Sequence, residues 1–385
     1  MLQKILSDNL IDREEFIEAR NYLRETRLYN TNESFLYDKD YVLACACIEK
    51  LIPSIPSEQI PNVFNKIYYY KGLTWIQQRY VIESLRNTKI SGDLEFLHNI
   101  ADPKIYCTFH LGSYRMALFK LLEQGIDIAI IVATDTLKKQ QESLFKAHQE
   151  MKQKYGLNNT LSYIEAESST GVIQMVRVLK EGKSLFFYID GNTGVGGNKR
   201  NDSKVVSVNF LNESLFTRRG IGYIAHKCNI PIIIGLCNYV SDEKMNITYS
   251  SPIIPDVSQD VNTSSKNITQ SIYNIFTEAL HQYPDQWEGW ISLINMLDTK
   301  KIYDQYKKNV PIDFSQIYIF DKTRFSFFKY RGTWCMFDKR TFEIYPIQQE
   351  LIDILNIHEN FTLKQNLIPE DVFGFLIKNE IFITG

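Results

Sequence analysis

A chain of 385 residues is too long for one ordinary domain and predicts two or three. Apolar residues make up 44% and charged residues 23%, which excludes a disordered chain and allows a sizeable core. With 43 basic against 45 acidic residues the net charge is −2, so no overall pull toward nucleic acid or anionic lipid is expected and any basic site must be local.

The opening segment MLQKILSDNLIDREEF is too charged, and too short in its apolar part, for a signal peptide. Residues 1–95 read as a helical region. REEFIEARNYLRETRLY places apolar residues at mixed i+3 and i+4 spacing, and YVLACACIEKLI continues that style. Pro53, Pro56 and Pro61 interrupt it as a loop, and WIQQRYVIESLRN reads as a further helix.

The pattern changes over residues 96–300. KIYCTFH is a short run of strand formers, and RMALFKLLEQG is a helix stopped by Gly125. IDIAIIVATD is the next strand, and TLKKQQESLFKAHQEMKQKYG is a long polar helix ending at Gly156. VIQMVRVLKEG predicts a helix closed by Gly182, and SLFFYID a buried strand. SLFTRRGIGYIAHKCN predicts a helix and IPIIIGLCNY a second buried strand. Such alternation predicts an α/β fold: a central, mostly parallel sheet flanked by helices.

Charge and Pro311 mark residues 301–314 as a linker. From 315 to 385 the pattern is that of a hairpin, FSFFKYRGTWCMFD, followed by TFEIYPI and two helical stretches. A small α+β domain fits that span.

The six cysteines sit mostly in apolar runs, and Cys45 and Cys47 have no second pair downstream with zinc-ligand spacing. Packed thiols are expected and no metal. No run approaches the roughly 18 apolar residues of a transmembrane helix. The expectation is a cytoplasmic protein, with peripheral attachment to a membrane left open.

In an open parallel sheet, ligands bind beyond the carboxyl ends of the strands. His110, Asp135 and Asp190 follow three such strands, and they share one rim if those strands are parallel neighbours. Either aspartate alone is equally well the first solvated residue after a buried strand. His110 precedes Gly112 and a helix start near Tyr114, where backbone N–H groups suit an oxyanion or phosphate. A histidine there can act as general base on a hydroxyl or amine. The loop after Asp190 is rich in glycine and carries Lys199, Arg200 and Lys204. It lacks the Gly-Lys-Ser/Thr ending of a nucleotide-binding P-loop, so a cationic loop beside the site is expected.

His110-Leu111-Gly112-Ser113-Tyr114 resembles the opening of the His-x4-Asp/Glu motif of the lysophospholipid acyltransferase superfamily, and is closest to its lipid A lauroyl/myristoyl branch. Asp190, Gly191, Asn192 and Gly194 partly match that branch's Asp-Gln-x-x-Gly segment. Val208 to Leu211, then Thr217 to Gly220 with Ala225 and Pro231, follow in its order. Tyr283-Pro284-Asp285-Gln286-Trp287 resembles its closing segment, so the likeness covers roughly residues 95–295.

The resemblance implies acyl transfer from an acyl carrier protein or coenzyme A thioester to a soluble or carrier-borne acceptor, such as a peptide or amine. The thioester is then a co-substrate, and no permanently bound cofactor is implied. His110 would be the base, with Asp190 or Asp135 as its carboxylate, because the family's acid position is occupied by Arg115. Arginine cannot accept the imidazole N–H. Gly112, Ser113, Tyr114, Arg115, Asp135, Arg200, Arg218 and Arg219 are the expected substrate-binding set. Arg115 suits a carboxylate or phosphate, or alternatively pairs with Glu123 on its helix face. The alternative function is a non-catalytic acyl- or peptide-binding protein that kept the fold and lost the acid.

Residues 332–338, 343–347 and 370–372 resemble PqqD-type domains, small winged-helix modules that bind leader peptides. A peptide ligand at 315–385 is the implied partner, and a packing or dimerisation role is the alternative. Oligomeric state is open.

Overall fold

The long apolar runs become the middle of one sheet. In chain order its strands are β1 (Thr88–Gly92), β2 (Ile105–Thr108), β3 (Ile128–Val132), β4 (Leu161–Glu165) and β5 (Ser184–Tyr188), then β8 (Ile232–Tyr239) and β9 (Met245–Tyr249). Between them β6 (Val205–Phe210) and β7 (Glu213–Arg218) form a separate hairpin. The sheet has seven strands in the order β1-β9-β8-β2-β5-β3-β4. β8 and β9 are antiparallel, and every other neighbouring pair is parallel. Every residue of β2, β3 and β8 is buried, as strands covered on both faces must be.

This computed structural model describes residues 13–29, 37–191, 204–306 and 310–384. It divides into two compact units: Met1–Thr31 with Ile55–Met296, and Asn32–Ser54 with Leu297–Gly385. Among the described residues no helix is long and apolar enough to cross a membrane.

Strand order sets where a ligand can sit. From β2 the chain crosses to β3, leaving room for β5 between them; from β5 it returns past β2 to β8. Right-handed crossovers running in opposite directions place their helices on opposite faces. They leave a crevice beyond the carboxyl ends of β2 and β5.

The region expected to be helical departs from that reading in two places. β1 lies within it and pairs in parallel with β9. Pro61 does not break a helix but stands in the first turn of one, Ile60–Gln77, where its missing N–H costs nothing. A third correction concerns SLFTRRGIGYIAHKCN. Its first part is β7, and only Gly220–Cys228 is helical.

The smaller unit carries β10 (Tyr318–Phe320), β11 (Phe325–Tyr330), β12 (Thr333–Asp338), β13 (Ile344–Ile347), β14 (Asn360–Phe361) and β15 (Phe382–Thr384). They form two antiparallel three-stranded sheets, β11-β12-β13 and β14-β10-β15. Arg331 (φ 50°) and Gly332 (φ 86°) link β11 to β12, the left-handed pair that a tight hairpin needs. The expected linker 301–314 is in part a helix, Thr299–Tyr306. Helix Lys39–Leu51, expected to belong with the N-terminal helices, is part of this unit: Glu49 pairs with Lys339 at 3.2 Å, and Tyr37, just before the helix, stacks edge-on with Trp334 at 5.3 Å. That helix holds Cys45 and Cys47 as free thiols, with burial pushing Cys45 up to about 12.

Candidate active site

The register of β2 and β5 brings the chemistry together. Thr108 pairs with Tyr188, so His110 and Asp190 each stand two residues past a matched position on adjacent parallel strands. His110 Nδ1 lies 2.7 Å from Asp190 Oδ1. The backbone N–H of His110 also donates to both carboxylate oxygens, at 3.1 and 3.0 Å. Trp287 Nε1 donates to Asp190 Oδ2 at 2.6 Å. Asp190 is therefore saturated with donors, with its side chain 1% exposed against 24% for His110.

Burial alone would push the Asp190 carboxyl up, but His110, the Trp287 indole and the His110 amide outweigh it and hold it below the usual carboxylate range. For His110, burial works to depress the imidazole, and Asp190, with help from Glu288, outweighs that and raises it; Arg115 opposes the rise. An ionised Asp190 fixes the proton on Nδ1 and leaves the Nε2 lone pair as the basic edge of the ring.

Trp287 is held by an aromatic stack. Phe109 lies on Phe276 at 3.8 Å, and Phe276, Phe210 and Trp290 meet Trp287 at 5.1, 5.6 and 5.1 Å. The same segment clamps the histidine loop through its backbone. Gly112 N–H donates to Gln286 O at 2.9 Å, and Glu288 N–H donates to His110 O at 3.0 Å.

His110 opens on a cavity of about 440 Å³. Its walls are apolar toward Ile131, Val132, Leu144 and Tyr163, and polar toward Lys71, Arg115, Gln140, Glu288 and Ser292. Lys71 Nζ and Glu288 Oε1 neutralise each other at 2.9 Å. Tyr114 packs edge-on against His110 at 4.4 Å, and Tyr188 lies 5.4 Å from the imidazole. Tyr188 Oη is buried without a hydrogen-bond partner. Gly191 also lines the cavity, where a Cβ would stand 3.6 Å from His110 Cε1.

The expected substrate-binding residues divide. Tyr114 and Arg115 line the cavity, and Arg115 does not pair with Glu123, which bonds Lys120 at 2.8 Å instead. Ser113 does not reach the cavity: it is fully buried and donates to Gln77 Oε1 at 2.7 Å. Gly112 is structural, at φ +53°, where a Cβ would come 2.6 Å from Cys237 O. Arg218 closes β7 and Arg219 hydrogen-bonds Asn262; neither lines the cavity, because the hairpin β6–β7 carries them elsewhere. Arg200, Asn192 and Gly194 lie outside the described residues, as does the side chain of Asp135.

Sequence reasoning did not single out Lys71, Trp75, Gln140, Tyr188 or Glu288. Lys71 and Trp75 come from helix Ile60–Gln77, and nothing local marks them. Trp287 and its neighbours were noted only as part of a motif. Their role depends on meeting Asp190 from 97 residues away. Neither protein-family models nor curated proteins match this chain.

Proposed function

We propose that the larger unit transfers an acyl group from a thioester to a hydroxyl or amine acceptor, with His110 as general base. The observation that carries this is the chain Trp287–Asp190–His110, ending on an imidazole at the wall of a half-apolar cavity. The resemblance of the His110–Tyr114 segment to lysophospholipid acyltransferases points the same way. Arg115 at the family's acid position is no obstacle to it, because Asp190 supplies the carboxylate from the next strand.

His110 Nε2 takes the proton of the acceptor O–H or N–H as that atom attacks the thioester carbonyl. The C–S bond breaks as the tetrahedral intermediate collapses, and the imidazolium returns the proton to the leaving thiolate. Tyr188 Oη is the unpartnered donor best suited to the transient oxyanion. The donor is an acyl carrier protein or coenzyme A thioester, whose chain suits the wall of Ile131, Val132 and Leu144. A peptide held by the smaller unit fits the acceptor role, and the cytoplasm fits a chain drawing on such thioesters.

Intact mass measurement of amino acids, amines and peptides, incubated with lauroyl-CoA or lauroyl-acyl carrier protein, tests the reading. Growth of an acceptor by one acyl group is expected. Donor binding without transfer to any class would favour a non-catalytic acyl-binding protein.

A further inference from the structure

Among the described residues Arg115 has no counter-ion. Its residue is 4% exposed, and its side-chain hydrogen-bond partners are neutral: Nη1 donates to Gln140 Oε1 at 2.9 Å, and the Tyr114 hydroxyl is a further partner. Its Nε is buried with no hydrogen-bond partner. Among the described residues no carboxylate pairs with it. The two acids described on the cavity wall are both engaged, Asp190 with His110 and Glu288 with Lys71. What holds the guanidinium in place is aromatic: Trp75 and Tyr114 each face it at 5.3 Å.

Burying an unpaired charge is costly, and a fold keeps one where a ligand completes it. A planar guanidinium with free N–H groups matches the oxygens of a carboxylate or phosphate. Arg115 is also the first residue of helix Arg115–Glu123, so the helix dipole adds to its pull on an anion.

We infer that the cavity selects acceptors whose attacking hydroxyl or amine stands next to an oxyanion group, held by Arg115 while the nucleophile rests on His110. This rests on the acyl-transfer reading and names its substrate class. Position argues for the acceptor rather than the donor. Arg115 and His110 face the same Tyr114 ring, at 5.3 and 4.4 Å, and line the same cavity. The phosphate of a pantetheine thioester is a full arm's length from the carbonyl, so it cannot occupy Arg115 while the carbonyl is at His110. An acid one or two bonds from the nucleophile can.

Product analogues separate the possibilities: N-lauroylglycine, N-lauroylaminomethylphosphonate as the phosphate mimic, and the neutral N-lauroylglycinamide, titrated calorimetrically into the full chain. At least one anionic analogue is expected to bind about tenfold or more tighter than the amide, as a charge-assisted hydrogen bond implies. Which one does so tells carboxylate from phosphate. Arg115→Gln should erase the preference and Arg115→Lys keep part of it. In the wild-type chain the Arg115 Nε–H resonance should move on adding the preferred anion, a readout that needs no variant to fold. Equal binding of all three to the wild type, or an undiminished preference in Arg115→Gln, overturns the inference. If none binds, titration with succinate and inorganic phosphate decides. A shift of the Arg115 resonance keeps the anion site and rejects acyl transfer, and no shift rejects both.

Discussion

His110 sits between opposing influences, and their balance is measurable. Burial and Arg115 favour the neutral ring; Asp190 and Glu288 favour the charged one and prevail. A base with a raised pKa is available only above it, so kcat/KM should rise with pH along a limb lying above that of an ordinary histidine. In Asp190→Asn the influences that raise the imidazole weaken while burial and Arg115 remain. The limb should then move to lower pH, and the plateau should fall about 10²–10⁴-fold as the ring loses its fixed tautomer. A limb that stays in place would show that Asp190 does not set the base. Trp287→Phe keeps an aromatic ring in the stack but removes the indole N–H from Asp190 Oδ2. Loss of a hydrogen bond to a buried charge predicts kcat lower by about 10- to 100-fold, with KM little changed. A change in KM alone would place Trp287 in substrate binding instead.

The loop between β2 and helix Arg115–Glu123 is where a small change should do most. Gly112 has φ +53°, and a Cβ there would meet Cys237 O at 2.6 Å and Asn238 Cα at 2.9 Å, both rigid backbone of β8. Gly112→Ala should therefore destabilise the chain by about 1–3 kcal/mol or more, read as a lower midpoint in urea, and displace His110. An unchanged midpoint would mean that the loop can yield. Elements of this kind were legible in the sequence where the local signal was strong. The runs IYCTF, IAIIV and LFFYI gave β2, β3 and β5, and with them the rim carrying His110 and Asp190. The pattern FSFFKYRGTWCMFD reads as the hairpin β11–β12, whose turn Arg331-Gly332 makes because glycine tolerates φ > 0. The hairpin β6–β7 turns through Leu211 (φ 49°) and Asn212 (φ 68°), and a leucine in that conformation gives no warning, so β7 read as helix. β1 and β4 are only partly buried, and their apolar pattern is correspondingly weak.

The candidate site of the larger unit is assembled from distant pieces. Helix Ile60–Gln77 supplies Lys71 and Trp75 to the cavity. The same helix ties down the histidine loop, with Thr74 donating to Gly112 O at 3.0 Å and Gln77 accepting from Ser113 at 2.7 Å. The segment after helix Val261–Gln282 supplies Trp287 and Glu288. None of these partners could be placed from sequence, since each contact spans dozens of residues. The smaller unit is likewise discontinuous, built from Asn32–Ser54 and Leu297–Gly385. The proposed acyl transfer depends on a base at His110. Its most direct test is the rate of thiol release and acyl-product formation from lauroyl-CoA, with a mixture of amino acids and peptides as acceptors, for wild type and His110→Ala. Turnover is expected in the wild type, with a loss of about 10²–10⁴-fold in the variant. Full turnover by a correctly folded His110→Ala would contradict it.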